Sequence, residues 1–161
     1  MSYPIDDILK ELSINNSEKA LQTLHNIYYD KLVRFVYLYI QSYESVEEIV
    51  SDVFLSIWIK RKELTHIENF NAYIFTVAKN TAISYFRKER KTISIKEAST
   101  ELYSITTITP EDEYISEEML SILHNAIEEL PPQCKKAFKL IKEEKMAYKD
   151  VSLILNISIK T

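Results

Sequence analysis

The chain has 161 residues and a net charge of −4, with 46% hydrophobic and 27% charged residues. This composition excludes a disordered chain and a protein that coats nucleic acid through overall basicity, while a local basic patch stays compatible with it. Because the chain contains no glycine, tight β-hairpin turns at positive φ are disfavoured and an all-α fold is predicted.

Two helices are predicted before residue 43. Residues 5–12 have the spacing of a short amphipathic helix. Ser17 is expected to cap a longer helix over residues 17–42, in which apolar residues recur at helical spacing. The many aromatic residues of this second helix are expected to pack in the core and at its rim.

The clearest helical pattern follows Ser45, which has Glu48 three residues later and so forms a capping-box pattern. One continuous apolar face then runs along the helix: Val46, Ile49, Val50, Val53, Phe54, Ile57 and Trp58. Acidic residues near the helix start occupy the other side. Acids there also complement the helix dipole, so helix stabilisation and partner binding both remain open as explanations.

A polar connection over residues 64–69 leads into a helix predicted for residues 70–90. Its expected inward stripe consists of Ile74, Val77, Ala78, Thr81, Ala82 and Tyr85. Its basic side chains outnumber the acid Glu89; they are Lys79, Arg87, Lys88, Arg90 and Lys91. Such a cluster binds phosphates in a salt-dependent way, although a basic helix end is often only solvated charge.

Residues 92–113 lack sustained helical periodicity and are predicted to link a domain of residues 1–91 to a domain of residues 114–161. In the second domain we expect helices over 114–130, 133–144 and 148–155. Pro131 and Pro132 end the first of these three helices.

The last helix and its sequel are typical of a helix-turn-helix. Its predicted packing face consists of Tyr148, Val151, Ile154 and Leu155. Asn156 is expected to make the turn, Ile157 to fill the space between the helices, and Ser158 to cap the next helix. An ordinary helical hairpin would have the same pattern, and this alternative stays open.

The sequence offers no catalytic chemistry. Its three histidines are scattered without metal-ligand spacing, and there is no Gly-rich phosphate loop. Cys134 has no nearby histidine and is expected to be a structural thiol. We therefore predict neither an enzyme nor a cofactor. A single cysteine, no membrane-length apolar run and no signal-peptide pattern predict a cytoplasmic protein.

The helix over residues 70–90 does carry groups suited to nucleic acid. Asn80, Ser84 and Thr76 are able to hydrogen-bond base edges. Phe75 and His66 are predicted to stack on or wall a base that has left the duplex. Asparagine and aromatic residues within a basic run favour single-stranded or melted DNA over intact duplex.

In this order and spacing, the segments resemble a bacterial RNA polymerase sigma factor of the extracytoplasmic-function (ECF) subfamily. Residues 20–40 (ALQTLHNIYYDKLVRFVYLYI) resemble the first helix of the family's domain two. Residues 46–64 (VEEIVSDVFLSIWIKRKEL) resemble its core-binding helix, and residues 70–91 (FNAYIFTVAKNTAISYFRKERK) resemble its DNA-melting and minus-ten recognition helix. Residues 130–158 resemble the start of domain four. The resemblance implies an all-α protein with two small helical domains.

The resemblance also implies roles. The acidic helix would dock on the clamp helices of the largest subunit of core RNA polymerase, through Glu47, Glu48, Ser51, Asp52 and Leu55. Residues 64–69 would form a loop that captures a base flipped from the minus-ten element. The candidate minus-ten contacts are His66, Asn69, Phe75, Thr76, Lys79, Asn80, Ile83, Ser84, Arg87 and Lys88. The candidate minus-thirty-five contacts are Ser158, Lys160 and Thr161.

The implied partners are core RNA polymerase, promoter DNA and an anti-sigma factor, which in many relatives is membrane-anchored. The chain ends at Thr161, at the opening of the family's recognition helix, so domain four is expected to be incomplete and to read the upstream element weakly. A helical adaptor or decoy that binds polymerase or a regulator without promoter recognition is the alternative. Run-off transcription with core polymerase separates the two hypotheses.

Overall fold

The structure is a computed structural model that describes residues 4–92 and 116–160. Within these ranges the chain is helical and no strand occurs, which confirms the predicted all-α class. A 3₁₀ segment, Arg61–His66, joins the third and fourth helices. The α-helices are α1 (Ile5–Asn15), α2 (Glu18–Tyr37), α3 (Tyr43–Ile59), α4 (Phe70–Thr92), α5 (Glu117–Glu128), α6 (Pro132–Lys142) and α7 (Tyr148–Leu155).

The start of the chain folds largely as its pattern predicts. Helix α1 runs one turn further than expected and ends at Asn16, whose φ of 50° lies in the left-handed region that asparagine tolerates. The Ser17 hydroxyl then accepts a hydrogen bond from the Ala20 amide at 3.2 Å. The predicted serine cap of α2 is therefore confirmed.

The predicted cap of α3 is wrong by one turn. Ser42 is the N-cap, and its hydroxyl accepts from the Ser45 amide at 3.5 Å. Ser45 is buried inside the helix, where its hydroxyl lies 3.0 Å from the Tyr85 hydroxyl of α4. Only Ser45 has a glutamate three positions later, so the local capping-box pattern favours the wrong serine. The packing of α3 on α4 decides in favour of Ser42.

Helices α2, α3 and α4 pack on one another and form the core of the N-terminal half. An aromatic cluster of Tyr28, Phe35 and Phe75 joins α2 to α4. The Phe75 ring lies edge-on to the rings of Phe35 and Tyr28, with distances between ring centres of 5.2 Å and 6.4 Å respectively. Aromatic pairs of this geometry contribute stability beyond the burial of their area.

Helix α1 packs against the 3₁₀ segment and α2. Leu12 of α1 and Leu64 of the 3₁₀ segment are both fully buried. Arg61 donates from Nε to the Asn16 Oδ1 at 2.6 Å, and its guanidinium lies 4.4 Å from the centre of the Trp58 ring. These contacts fix the short segment that connects α3 to α4.

The helices of the C-terminal half also follow the sequence closely. The Ser116 hydroxyl caps α5, and α6 starts at Pro132, where a missing amide costs no intrahelical bond. Helix α7 ends at Asn156, which has a φ of 54°, as the turn prediction requires. The prediction for Tyr148 is wrong: it is 66% exposed, because it stands at the first position of α7 while the packing face starts one turn later.

The two halves pack against each other, and α7 lies on α4. Val151, Ile154 and Leu155 are buried and belong to the same core cluster as the residues of α4. The predicted linker, residues 92–113, lies outside the described residues beyond Thr92. The division into two domains therefore stays a prediction.

Replacing Leu12 with alanine is expected to reduce the free energy of unfolding by about 2–5 kcal/mol, because it leaves a cavity between α1 and the 3₁₀ segment. Urea unfolding followed by circular dichroism measures the effect. The matched control is Ile14→Ala on the same helix, where the side chain is 71% exposed and the expected change is within about 0.5 kcal/mol. Similar losses in both variants would contradict the packing of α1.

The Tyr28 phenol is expected to make stability fall at high pH. Burial raises its pKa from 10.0 to about 12. The stability that the neutral phenol contributes is complete below about pH 10 and is lost as the pH rises from 10 to about 12. Urea unfolding should show a loss of about 1 kcal/mol from this group between pH 8 and pH 11. Tyr28→Phe should lose correspondingly less, and an unchanged slope would assign the fall to other groups.

Candidate nucleic-acid and protein interface

Helices α3 and α4 enclose an open groove with a volume of about 570 Å³. The helices run antiparallel, since the start of α3 at Ser45 meets the later part of α4 at Tyr85. Side chains from both helices face the groove: Glu48, Asp52, Ser56, Lys60, Val77, Asn80, Thr81, Ser84, Tyr85, Lys88 and Glu89. The groove thus brings together the helix predicted to dock on a protein and the helix predicted to bind bases.

The charge of the groove changes along its length. Glu48, Glu89 and Lys88 lie at the end where α3 begins, and Lys60 lies at the end of α3. At the end near Glu89, the hydrogen bond to Ser45 lowers the pKa of Tyr85. Burial and a hydrogen bond to Glu89 raise the same pKa and together outweigh that effect, so the pKa of Tyr85 is raised overall. The Tyr85 phenol lines this end of the groove, where its hydroxyl lies 3.0 Å from the Ser45 hydroxyl.

Several of the predicted DNA contacts point away from the core. Asn80, Ser84 and Lys88 line the groove, and Asn80 is exposed. Arg87 is exposed beside them, and Ile83 is half-buried. The prediction for the basic side chains of Arg90 and Lys91 lies outside what the structure describes.

Two predicted contacts with the base are directed elsewhere. Phe75 is fully buried against Phe35 and Tyr28, so it does not reach a base in this arrangement. Its predicted stacking role is corrected to a packing role that orients α4. The Thr76 hydroxyl donates to the Ala72 carbonyl one turn earlier at 2.7 Å. Helical spacing alone does not show which residues at the edges of the apolar stripe of α4 face the core and which face outward.

Asn69 and Lys79 contact the C-terminal half of the protein. Asn69 caps α4 by accepting from the Ala72 amide at 3.0 Å, and its Nδ2 donates to Asp150 at 2.7 Å. Lys79 donates from Nζ to the Ile154 carbonyl at 2.5 Å. His66 is exposed at the end of the 3₁₀ segment.

The residues predicted to bind polymerase form an outward face of α3. Glu48, Ser51, Asp52 and Leu55 are exposed, and the Leu55 side chain is 57% exposed. Sequence reasoning missed Ile59, which is 66% exposed one turn after Leu55. The i, i+4 spacing of two apolar residues outside the main stripe is the signal that points to it.

Glu47 differs from these neighbours because it is half-buried and acts on two nearby tyrosines. The hydrogen bond to Glu47 raises the pKa of Tyr43, while burial and the same carboxylate raise that of Tyr29. Glu47 thus interacts electrostatically with a tyrosine of α3 and a tyrosine of α2, which competes with its predicted role in docking.

The predicted upstream contacts follow α7. The Ser158 hydroxyl accepts from the Lys160 amide at 3.3 Å, the local geometry of a cap or turn, and both residues are exposed. Thr161 lies outside the described residues.

A contact between the two halves was not predicted from the sequence. Arg34 of α2 donates from Nε to Glu144 Oε1 at 2.7 Å and from Nη2 to Oε2 at 3.2 Å. The Glu144 side chain is only 5% exposed. The two residues are 110 positions apart, and no local signal connects them.

Residues 4–92 and 116–160 contain no group of three or more histidine, cysteine, aspartate or glutamate side chains placed to hold a metal ion. Within the same ranges, we find no helix with the length and apolarity that crossing a bilayer requires.

Comparison with known proteins identifies two family models. Sigma-70 region 2 matches residues 24–92, and Sigma-70, region 4 matches residues 120–161. The ECF RNA polymerase sigma-E factor of Haemophilus influenzae is 25% identical over 166 residues, which cover 97% of this chain and 86% of the relative. The ECF RNA polymerase sigma factor SigM of Bacillus subtilis is 24% identical over 140 residues, which cover 86% and 83%.

Among solved structures, that of CnrH in complex with the cytosolic domain of CnrY matches with a TM-score of 0.63 and 15% identity. The match covers 98% of this chain and 86% of that chain. It supports the helical fold described above.

Proposed function

The chain belongs to the sigma-70 family as an ECF sigma factor that directs RNA polymerase to promoters, and we propose that the α3–α4 groove divides this task between its two walls. The α3 wall docks on core polymerase, and the α4 wall holds the melted minus-ten strand. The observation that carries the proposal is that one groove is lined by Asp52 from α3 and Asn80 from α4.

The docking wall combines charge with apolar area. Glu48 and Asp52 present exposed carboxylates, and Leu55 and Ile59 add exposed apolar side chains along the same outer side of α3. Exposed acids beside apolar anchors suit a basic partner surface, because the charges steer the encounter and the apolar contacts slow dissociation. We assign this face to the clamp helices of the largest polymerase subunit.

The DNA wall is suited to a strand that has already left the duplex. Opening DNA costs about 1.4 kcal/mol per stacking step. Capture of an unstacked base returns about 1–3 kcal/mol. Asn80 has an exposed amide able to read a base edge, while Arg87 and Lys88 supply positive charge for the phosphates. Polymerase contacts supply the rest of the free energy, so no hydrolysis is needed.

The 3₁₀ segment is proposed as the loop that captures the flipped base, with His66 exposed at its end. Helix α1 packs against this segment through the buried Leu12 side chain, and Asn16, which follows α1, accepts a hydrogen bond from Arg61. Since the region 2 match begins at residue 24, this support comes from a part of the chain outside the matched region.

The remaining roles are proposed more coarsely. Ser158 and Lys160 follow the turn after α7 and are candidates for contact with the upstream element. CnrH was solved in complex with the cytosolic domain of CnrY, and this supports an anti-sigma protein as a partner here. Membrane anchoring of that partner stays a prediction from the family, and a cytoplasmic site of action for this chain stays a prediction from the sequence.

Replacing Asn80 with alanine is expected to lower open-complex formation about fivefold or more while leaving core binding intact, because it removes a base contact and no packing. Run-off transcription at a promoter selected for this protein measures the first effect, and a pull-down of core polymerase measures the second.

The matched control for this experiment is Asn71→Ala, on the same helix but about half a turn round its axis from Asn80. The control should keep near-normal transcription. Equal loss of transcription and core binding in Asn80→Ala would make the residue structural, and no loss at all would remove it from the pocket.

Reversing the charge of Asp52 with arginine is expected to weaken association with core polymerase about tenfold or more, because like charges then face each other across the interface. Titration of labelled core polymerase measures the dissociation constant. Asp7→Arg, an equal charge change at an exposed position of α1, serves as the control and should bind normally. Unchanged affinity of Asp52→Arg would take α3 out of the interface.

A further inference from the structure

The 3₁₀ segment Arg61–His66 depends on other elements for its shape. It contains six residues, whereas 3₁₀ runs longer than three or four residues are uncommon, because their hydrogen bonds have poorer geometry than those of an α-helix. Among the described elements, α1 packs on this segment more extensively than α3 does, although α3 precedes the segment directly in the chain. The contacts with α1 are therefore its main support.

Helix α1 holds the segment through an apolar and a polar contact. Leu12 of α1 and Leu64 of the segment are fully buried in the same core cluster. The Ser13 hydroxyl donates to the Lys62 carbonyl at 3.4 Å. The second contact ends on the backbone of the segment, so it restrains the path of the chain and not only the placement of a side chain.

Arg61 connects α1, α3 and the segment at one point. Its Nε donates to Oδ1 of Asn16, which ends α1, at 2.6 Å, and its Nη1 donates to the carbonyl of Trp58 in α3 at 2.8 Å. The guanidinium also lies 4.4 Å from the centre of the Trp58 ring. A planar guanidinium that is bonded at two points and stacked on a ring has little freedom, so Arg61 fixes how the segment leaves α3.

The acceptor on Asn16 is itself held in place. Its φ of 50° lies in the left-handed region, which asparagine tolerates better than most residues. The next residue, Ser17, caps α2 by accepting from the Ala20 amide. Asn16 thus stands on a turn that is fixed by the end of α1 and the start of α2.

These contacts leave one side of the connection between α3 and α4 facing outward. Thr65, His66 and Glu68 are exposed, whereas Leu64 is buried. Capture of a base by a loose segment includes the free-energy cost of ordering that segment, and a segment already held in the binding shape avoids this cost.

We propose that Asn16 and Arg61 are positioning residues, which hold the 3₁₀ segment in the shape that captures a flipped base of the minus-ten element. The proposal rests on the proposed function, which assigns base capture to this segment. It gives α1 a part in promoter recognition without contact to DNA, although the region 2 match begins only at residue 24.

A positioning role differs from a merely structural one in what a variant loses. Loosening of the segment should reduce only the part of the DNA affinity that depends on the captured base, because the α4 wall and the docking face of α3 are unchanged. The informative quantity is the ratio of two affinities, one for an intact strand and one for a strand that lacks the captured base. We call it the base ratio.

The test uses the full chain bound to core RNA polymerase and fluorescein-labelled single-stranded oligonucleotides with the minus-ten sequence of a promoter selected for this protein. Binding is followed by fluorescence anisotropy, with an abasic site placed at each position in turn. At the captured base, the wild type should show a base ratio of about 5 to 150, the range expected for one stacked base. A wild type without any such position would remove base capture from the proposed function, and the positioning role with it.

Arg61→Ala should lower the base ratio about fivefold or more, because it removes a charged donor. Asn16→Gly should lower it about threefold or more, since glycine removes the acceptor but tolerates the φ of 50°. Asn16→Asp keeps an acceptor and also tolerates this conformation, so it should retain the wild-type ratio. Because the two residues act through one hydrogen bond, the double variant Asn16→Gly, Arg61→Ala should lose no more than Arg61→Ala alone.

Two matched controls should keep the base ratio within about twofold of the wild type. Asn15→Gly makes the same change at the preceding exposed position, where the amide donates to Glu11 of the same helix at 3.0 Å. Lys62→Ala removes an equal charge next to Arg61 and keeps the backbone carbonyl that accepts from Ser13.

An equal loss of affinity for the intact and the abasic strand would make the pair structural and overturn the proposal. So would a ratio that falls in Arg61→Ala but not in Asn16→Gly, because Arg61 would then act on the base without Asn16. Circular dichroism establishes that each variant is folded, and if Arg61→Ala fails to fold, the comparison of Asn16→Gly with Asn16→Asp decides. A wild type that depends on one base, with unchanged ratios in both variants, removes the positioning role and leaves the proposed function intact.

Discussion

The orientation of α4 depends on one buried contact, the insertion of the Phe75 ring between Phe35 and Tyr28 of α2. Since each helical residue turns by about 100°, fixing Phe75 inward places Asn80 on a different side of the same helix, where it is exposed. The aromatic cluster thus does no chemistry itself but determines which polar side chains of α4 face the groove. A rotated α4 would bury these polar groups without partners, at a cost that the core would not offset.

A second constraint comes from the acidic character of the chain. With a net charge of −4, the protein as a whole repels DNA, although α4 carries five of the 20 lysines and arginines of the chain. Under the proposed function, this charge makes weak binding of the free protein to DNA the expected behaviour, and polymerase is the partner that changes the balance.

Under the proposed division of roles, the two walls of the groove allow one short helical hairpin to contact two macromolecules. Helix α3 uses its buried stripe to pack on α4, so its acids and the exposed Leu55 and Ile59 remain for a partner. Helix α4 uses its buried stripe in the same way and keeps Asn80 and Ser84 outside. Docking of α3 on polymerase would therefore bring the bases of the melted strand to a surface that is already preorganised.

The sequence by itself determined the helices, because hydrophobic spacing, the Ser17 cap and the left-handed Asn156 are local properties. It also determined the family, because the order and spacing of the characteristic segments are properties of the sequence. Only the tertiary structure decided that Phe75 packs inward, because the helical period does not show which edge of an apolar stripe faces the core. It alone paired Arg34 with Glu144, because contacts between residues 110 positions apart depend on how the halves meet and leave no local pattern.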